Sequence, residues 1–250
     1  MKYSLKDIAG SLPAEKRKAD GTVTTLILRP LSWPAAWLFL RLGASANAVT
    51  ALSMLFSAAG LALTMTTVPA LHALAVGFFF VFGVLDCADG NMARTMGSKN
   101  PFGGWVDAAG GYFTYFAQMA AIALSARLPG GQDLRIPFSG ITLVAGNDFP
   151  GIWLFVATLS VSANLLMRLY HQAFKNAELL AGIRRPAGNE KRFSEEIGIT
   201  GYMPVLYALG LAFGCLPWVS LFYLFIYGGG FCVTAFRLFR RASAPIKTPD

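Results

Sequence analysis

Three aspartates, Asp86, Asp89 and Asp107, interrupt otherwise apolar stretches of the sequence. Asp86 and Asp89 are three residues apart, so on a helix they share one face. Neighbouring carboxylates raise one another's pKa unless a cation neutralises them. Oxygen-only ligands suit Mg²⁺, Mn²⁺ or Ca²⁺ rather than zinc or copper, and Mg²⁺ commonly joins a few carboxylates to substrate phosphates. The spacing therefore predicts a divalent-cation site suited to a nucleotide.

Small residues alternate with these carboxylates. Gly90, Ala93, Gly103 and Gly104 leave room for a bulky flat group beside the backbone. Small residues also line the interfaces between membrane helices, but their alternation with three carboxylates favours a ligand cleft. Arg94 is expected either to pair with a carboxylate or a phosphate, or to anchor its helix end at the cytosolic surface.

The elements that carry these residues are predicted to be membrane-spanning helices. Hydrophobic residues make up 55% of the chain and charged residues only 14%, against roughly 25% charged residues in soluble domains. A spanning helix needs about 20 mainly apolar residues. The segments that qualify, with approximate bounds, are 45–68, 70–94, 104–127, 151–173, 199–216 and 218–239. We therefore predict an all-α integral membrane protein with six transmembrane helices, in which Asp107 lies about one turn into the third.

The cations predict the orientation. If the chain crosses six times, all but two of its 21 Lys and Arg residues lie on the side of both termini, the exceptions being Arg127 and Arg135. The positive-inside rule then places both termini in the cytosol. The net charge of +8 fits an anionic membrane surface rather than nucleic acid. Lack of transit features favours a prokaryotic inner (plasma) membrane.

An interfacial amphipathic helix is predicted at residues 30–43, before the first span. Trp33 and Trp37 share a face, tryptophan favours the headgroup level, and Gly43 is a suitable stop. The alternative is that both tryptophans begin the first span. The predicted regions are a cytosolic N-terminal segment (1–44), a six-helix domain (45–240) and a cytosolic tail (241–250). Residues 128–150 are expected to form an irregular loop, and 174–198 a solvated linker containing Arg184, Arg185, Lys191 and Arg192.

The aspartates and small residues together resemble the signature of the CDP-alcohol phosphotransferase (CDP-alcohol phosphatidyltransferase) family. Its pattern, Asp-x2-Asp-Gly-x2-Ala-Arg-x8-Gly-x3-Asp-x3-Asp, is matched without a gap at Asp86, Asp89, Gly90, Ala93, Arg94, Gly103 and Asp107. The stretch from Ala46-Asn47 to Thr50 resembles the family's Pro-Asn-x-x-Thr entry to the first span, with Ala46 in place of proline. The resemblance covers about residues 20–240 and implies six helices after a juxtamembrane helix.

The resemblance also implies a reaction. An acceptor hydroxyl would attack the β-phosphorus of a CDP-linked donor, either CDP-diacylglycerol or a soluble CDP-alcohol, and release CMP in phospholipid or related biosynthesis. Membrane lipid is an implied partner, and the family is often dimeric, which implies a homodimer. The implied Mg²⁺ (or Mn²⁺) ligands are Asp86, Asp89 and Asp107, and the implied nucleotide-binding residues are Gly90, Ala93, Arg94 and Gly103.

One signature position departs from the pattern. The fourth aspartate, which the family uses as general base and second metal ligand, is replaced by Gly111. Losing a general base lowers a rate by roughly 10²–10⁴-fold. Three explanations stay open: a catalytically impaired homologue that binds CDP-ligands and metal without turnover, another base or an acceptor that needs none, and an introduced change at residue 111. His171, near the cytosolic end of the fourth span, is a candidate substitute base or simply an interfacial histidine.

The sequence gives fewer indications of the residues that bind the acceptor than of those that bind the donor. Arg168, Arg237 and Arg240 lie at cytosolic ends of the fourth and sixth spans. They are expected either to bind a phosphorylated acceptor or lipid headgroups, or to act as positive-inside anchors. A cation transporter is a competing hypothesis, but the carboxylates lie at the membrane edge, whereas transport sites usually lie at the midplane.

Overall fold

The chain is almost entirely helical in a computed structural model, which describes residues 3–98, 100–128, 133–135, 141–144, 151–183 and 196–243. A π-helical turn, Thr24–Leu28, leads into α3, and two short strands, β1 (Leu134–Arg135) and β2 (Thr142–Val144), pair antiparallel. The helices are α1 (Leu5–Gly10), α2 (Ala14–Ala19), α3 (Arg29–Arg41), α4 (Ala46–Leu63), α5 (Pro69–Thr95), α6 (Gly103–Ser125), α7 (Ile152–Leu180), α8 (Met203–Ala212) and α9 (Leu216–Ala242).

Four helices, α4, α5, α7 and α9, are long and apolar enough to cross a membrane. Helix α6 has 23 residues but carries Asp107, Gln118 and many small residues, which lower its hydropathy. Helix α8 has only 10 residues, and at 1.5 Å per residue it spans roughly 15 Å. The all-α prediction is confirmed, whereas the count of six spans stays a prediction.

The helices pack around a core of buried aromatic and aliphatic side chains, among them Phe79, Phe82 and Tyr223. Helix α4 lies against α5 and α6, while α7 lies against α9. Close approach depends on small residues. A Cβ on Gly210 of α8 would lie 2.8 Å from Leu216 Cδ2 of α9, so a larger residue would force the side chains of α9 to shift where these two helices meet.

The N-terminal segment contains two short helices ahead of α3. Helix α1 begins with a capping box between Ser4 and Asp7, and α2 follows it. Helix α3 occupies the predicted interfacial segment and ends just before Gly43, whose φ of +72° suits glycine. Trp33 and Trp37 are half-buried and pack against the helices beneath. The position of α3 at the membrane surface stays a prediction.

Two loops differ from expectation. Helix α7 continues to Leu180, so the predicted linker does not begin at residue 174. The reason is local, because Ala, Glu, Lys and Leu in this stretch are good helix formers. The four cations named in the predicted linker (Arg184, Arg185, Lys191 and Arg192) lie outside the described residues. The loop 128–150, expected to be irregular, contains the β1–β2 pair in its described part.

Candidate functional site

A cavity of about 480 Å³ opens where the end of α5 meets the start of α6. Its wall includes Asp86, Asp89 and Asp107. Helix α5 ends at Thr95, the chain turns at Gly97 with φ +61°, and α6 begins a few residues later. This short connection brings the two helix ends side by side, so the signature positions of both helices face one space.

The three carboxylates have different surroundings. Asp89 is buried, and its Oδ2 accepts a hydrogen bond of 2.5 Å from Thr50 Oγ1 on α4. Asp107 is exposed and close enough to Asp89 for the two charges to repel each other. Asp86 is half-buried and is attracted by the Arg29 guanidinium. The cavity wall therefore carries three carboxylates and, near Asp86, the positively charged guanidinium of Arg29.

The donor chemistry of this wall fits a hard divalent cation, because its acidic side chains offer only oxygen ligands. A cation would also remove the repulsion between Asp89 and Asp107. Within the described ranges, however, no three His, Cys, Asp or Glu side chains are gathered closely enough to hold an ion. The Asp89 carboxylate is engaged by Thr50 in this conformation. Metal binding would require these side chains to rotate towards each other, and it stays a prediction.

The small residues of the signature border the cavity. Gly90, Ala93, Gly103 and Gly104 all lie on its wall. A Cβ on Gly104 would meet nothing within 4 Å, and one on Gly90 would lie 3.2 Å from Arg94 Nη1. These positions face open space or a neighbouring side chain of their own helix, which supports a ligand cleft over a tight helix interface.

Arg94 lies at the end of a polar network on the same wall. Its Nη2 donates to Asn91 Oδ1 at 2.7 Å, and Arg29 Nη1 donates to the same oxygen at 3.5 Å. Arg29 also donates to both carboxylate oxygens of Asp20, at 2.7 and 3.0 Å. Burial is the largest single influence on Arg29 and opposes its charge, but the bond to Asp20 and the nearby negative charges together raise the pKa of the guanidinium above its ordinary value. The Arg29 guanidinium therefore keeps its positive charge despite its burial.

Gly111 also lines the cavity, one helical turn beyond Asp107. A Cβ at this position would meet only Ile199 Cδ1, at 4.0 Å, so the place of the fourth signature aspartate is sterically open. Arg168 lies on the adjoining wall, with its guanidinium 4.6 Å from the centre of the Tyr115 ring and 5.7 Å from that of Tyr112. Its Nε donates to an amide oxygen one turn earlier on α7.

Three predicted residues do not line this cavity: His171, Arg237 and Arg240. All three are exposed. His171 is three residues from Arg168 on α7, yet Arg168 faces the cavity and His171 faces outwards. The structure therefore brings Arg168 to the carboxylates and leaves the other two arginines and the histidine away from them.

Sequence reasoning missed the N-terminal wall of the cavity, which consists of Lys16, Asp20, Thr24 and Arg29. It also missed the wall formed by residues 198–200, ahead of α8. The predictions named no site residue in either segment, and both segments reach the site through contacts between distant parts of the chain. Thr50 is different, because it ends the Ala46–Thr50 stretch that resembles the family's first-span entry, and this was the signal that could have placed it at the site.

Comparison with known proteins agrees with this geometry. The family model for CDP-alcohol phosphatidyltransferase matches residues 44–179, which is more than half of the chain. No functionally curated protein shows a significant match. The matched family consists of transferases that use a CDP-alcohol donor and a hydroxyl acceptor. With four apolar helices of spanning length and a cavity lined by the signature residues, the chain is an integral membrane protein of the CDP-alcohol phosphatidyltransferase family.

Proposed function

We propose that the protein transfers a phospho-alcohol or phosphatidyl group from a CDP-linked donor to an acceptor hydroxyl and releases CMP. The observation that carries this proposal is the clustering of signature carboxylates and small residues on one cavity of about 480 Å³, a volume within the roughly 300–1,000 Å³ of small-molecule sites. In the step itself, the acceptor hydroxyl loses its proton to solvent and its oxygen forms a bond to the β-phosphorus. The bond from that phosphorus to the bridging oxygen breaks, and CMP leaves.

Each wall of the cavity has a proposed role. Gly90, Ala93 and Gly103 leave space for the cytidine, and the Arg94 guanidinium binds phosphate oxygens. Asp86, Asp89 and Asp107 would hold Mg²⁺ or Mn²⁺, which when bound would supply charge neutralisation at the diphosphate. Thr50 orients the Asp89 carboxylate by its hydrogen bond.

The acceptor is proposed to approach between Gly111 and Arg168. Arg168 is held by stacking against Tyr112 and Tyr115 and by the amide oxygen of Asn164, so its charge is fixed at the cavity wall. A fixed guanidinium suits an acceptor that carries a phosphate or another anionic group. His171 is exposed and does not line the cavity, so it is not placed to replace the carboxylate missing at Gly111. An acceptor that is already ionised would need no general base.

The first test is CMP release by the purified protein in mild detergent with Mg²⁺. CDP-diacylglycerol and soluble CDP-alcohols serve as donors, with pooled polyols and polyol phosphates as acceptors. We expect metal-dependent CMP release that Asp89→Asn reduces by roughly 10²-fold or more. The matched control is Asp133→Asn, a carboxylate that pairs with Arg135 away from the cavity. Equal CMP release by Asp89→Asn and the unmodified protein would contradict the proposal.

A second candidate is a protein that binds CDP-ligands and metal without turnover. Gly111 is the observation that favours it, because glycine offers neither a proton acceptor nor a metal ligand. Under this alternative, calorimetry detects Mg²⁺-dependent CDP binding that Asp89→Asn weakens, while no acceptor yields CMP. Turnover with any acceptor excludes it.

The membrane arrangement belongs to the same proposal. We propose six spans, with α6 as the third and α8 within the fifth, and with α3 lying on the cytosolic surface before the first. Both termini would then face the cytosol, as would the cavity, and a prokaryotic plasma membrane would supply lipid to the site. A homodimer is proposed by analogy with the family.

A further inference from the structure

We propose that Asn91 is a positioning residue for Arg94, and that the buried Asp20–Arg29 ion pair holds Asn91 in place. The proposal rests on the proposed function, because it assigns the Arg94 guanidinium to the phosphates of a nucleotide ligand. Arg29 and Asn91 are 62 positions apart in the chain. The inference therefore makes the N-terminal segment part of the nucleotide site, although that segment lies outside the signature.

The Asn91 amide is fixed in one orientation. The residue is fully buried, and its Nδ2 donates to Ser32 Oγ at 2.9 Å. Its Oδ1 is the acceptor for both Arg94 and Arg29. Rotating the amide by half a turn would place its NH₂ group against two guanidinium groups, and neither of them can accept a hydrogen bond. Of the two amide orientations, only the observed one satisfies these hydrogen bonds, and it presents the amide oxygen to Arg94.

The other end of the network is anchored by charge. The side chains of Asp20 and Arg29 are each only 6% exposed, and they meet through two parallel hydrogen bonds. A bidentate pair of this kind is both strong and specific in direction. Separating the buried partners would leave uncompensated charges, so Arg29 does not leave this position readily. It consequently keeps one donor aimed at the Asn91 oxygen.

Arg94 gains its direction from this network. Its guanidinium lies over Gly90, and it is repelled by the like charge of Arg29. The shared Asn91 oxygen holds the two cations apart while bonding to both. Among the described residues, Arg94 Nε is buried with no hydrogen-bond partner. Arg94 lines the cavity, and its bond to Asn91 uses only Nη2, so the guanidinium keeps donors for a ligand, and phosphate oxygens match such a planar cation.

The experiment uses the full-length protein in detergent and has two readouts. The first needs no ligand: the rate at which phenylglyoxal modifies Arg94, followed by peptide mass spectrometry. The second is the dissociation constant for CDP with Mg²⁺, measured by calorimetry. The variants are Asn91→Ala, Asn91→Asp, and the neutral double variant Asp20→Asn/Arg29→Gln. The matched control is Asn176→Ala, an exposed asparagine on α7.

We expect Asn91→Ala to speed modification of Arg94 and to weaken CDP binding, each by about tenfold, which is the effect of losing one hydrogen bond to a charged group. Asn91→Asp should restore both values in large part, since a carboxylate still accepts from both guanidinium groups although it loses the donor bond to Ser32 Oγ. The double variant shifts both readouts in the same direction as Asn91→Ala, and Asn176→Ala shifts neither. Rescue by Asn91→Asp is the result that a merely structural role would not produce.

Unchanged Arg94 reactivity in Asn91→Ala would overturn the proposal. So would equal loss of CDP binding in Asn91→Ala and Asn91→Asp, or a double variant that matches the unmodified protein in both readouts. If the unmodified protein binds no CDP but Arg94 reactivity responds as expected, the proposed function fails while the positioning by Asn91 stands.

Discussion

At the scale of single residues, Gly111 decides how this site differs from the family pattern. The position lines the cavity, and a Cβ there would meet only Ile199 Cδ1, at 4.0 Å. The protein has therefore kept the space that the aspartate would fill, rather than closing it with a larger neighbour. Such a site is expected to accept the missing carboxylate, or an acceptor group in its place.

Gly111→Asp should raise CMP release by about 10²–10⁴-fold if the rest of the site is competent, because a positioned general base contributes that much. The measurement is the initial rate with saturating donor and pooled acceptors, together with the melting temperature. The matched control is Gly104→Asp, which adds a carboxylate at another open position on the wall and should not raise the rate. A large loss of stability in Gly111→Asp would contradict the open geometry.

Site residues that belong to a local sequence pattern could be predicted from the sequence, whereas residues brought to the site only by tertiary contacts could not. Asp86, Asp89 and Asp107 belong to a local pattern, so helix periodicity and a short turn were enough to place them at one end of two helices. Asp20 and Arg29 could not be predicted in this way. A lone acid beside a run of cations reads as a solvated surface, and only the folded chain buries the pair.

At the scale of helices and loops, length and apolar composition identified α4, α5, α7 and α9 well. They were poorer guides to α8, where Gly210 and Gly214 allow a short helix to turn closely into α9. The predicted span 199–216 treated this whole stretch as one helix. Its apolar residues are instead divided between an irregular start, 10 helical residues and a tight turn.

Gly210→Ala should destabilise the protein by about 1–3 kcal/mol, because the added methyl group would overlap Leu216 and Val219 on α9. The measurement is thermal or denaturant-induced unfolding in detergent. Gly228→Ala is the matched control: a Cβ there meets nothing within 4 Å, so the change should be neutral or slightly stabilising in a helix. Equal stability of the two variants would show that α8 and α9 are not in such close contact.

The N-terminal wall is held to the segment before α8 by polar contacts. Thr22 donates through its backbone N and its Oγ1 to the two oxygens of Glu196, each at 2.9 Å. Thr24 Oγ1 donates to the backbone oxygen of Thr200 at 2.7 Å. The first pair is exposed, so it is expected to open more readily than the buried Asp20–Arg29 pair.

Glu196→Ala should speed tryptic cleavage after Arg17 and Lys18 by roughly threefold or more, because local opening of this wall then requires fewer broken contacts. Thr22→Val removes one of the two bonds to Glu196 and should have a smaller effect. The control, Thr158→Val, changes an exposed threonine that bonds only within α7. Cleavage at an unchanged rate in Glu196→Ala would mean that these contacts do not hold the wall.

At the scale of the whole molecule, the distribution of charge and the direction of the helices lead to one arrangement in the membrane. Helix α5 has 27 residues, so its ends lie roughly 40 Å apart. The turn at Thr66 and the cavity residues are therefore at opposite ends of the helix bundle. In the proposed topology, the cations that line the cavity lie on the cytosolic side.

The proposed topology can be tested with single cysteines in a variant that lacks Cys87, Cys215 and Cys232. A membrane-impermeant maleimide added to intact cells should label Thr66→Cys, which lies in the exposed turn between α4 and α5. Lys18→Cys and Ser243→Cys should be labelled only after permeabilisation, because the proposed topology places both on the cytosolic side. Labelling of residues 18 and 243 from opposite sides would exclude an even number of spans.

The contact between Thr22 and Glu196 joins residues 174 positions apart. During translation, at about 5–20 residues per second, the ribosome needs about 10–35 s to make the chain between them. The N-terminal wall of the cavity is thus synthesised first, but the segment that it contacts is made only after α7. A nascent chain that has already inserted α4 to α7 still has an open, incomplete cavity. Competence to bind a nucleotide should arise only late in biogenesis, after the segment ahead of α8 has emerged.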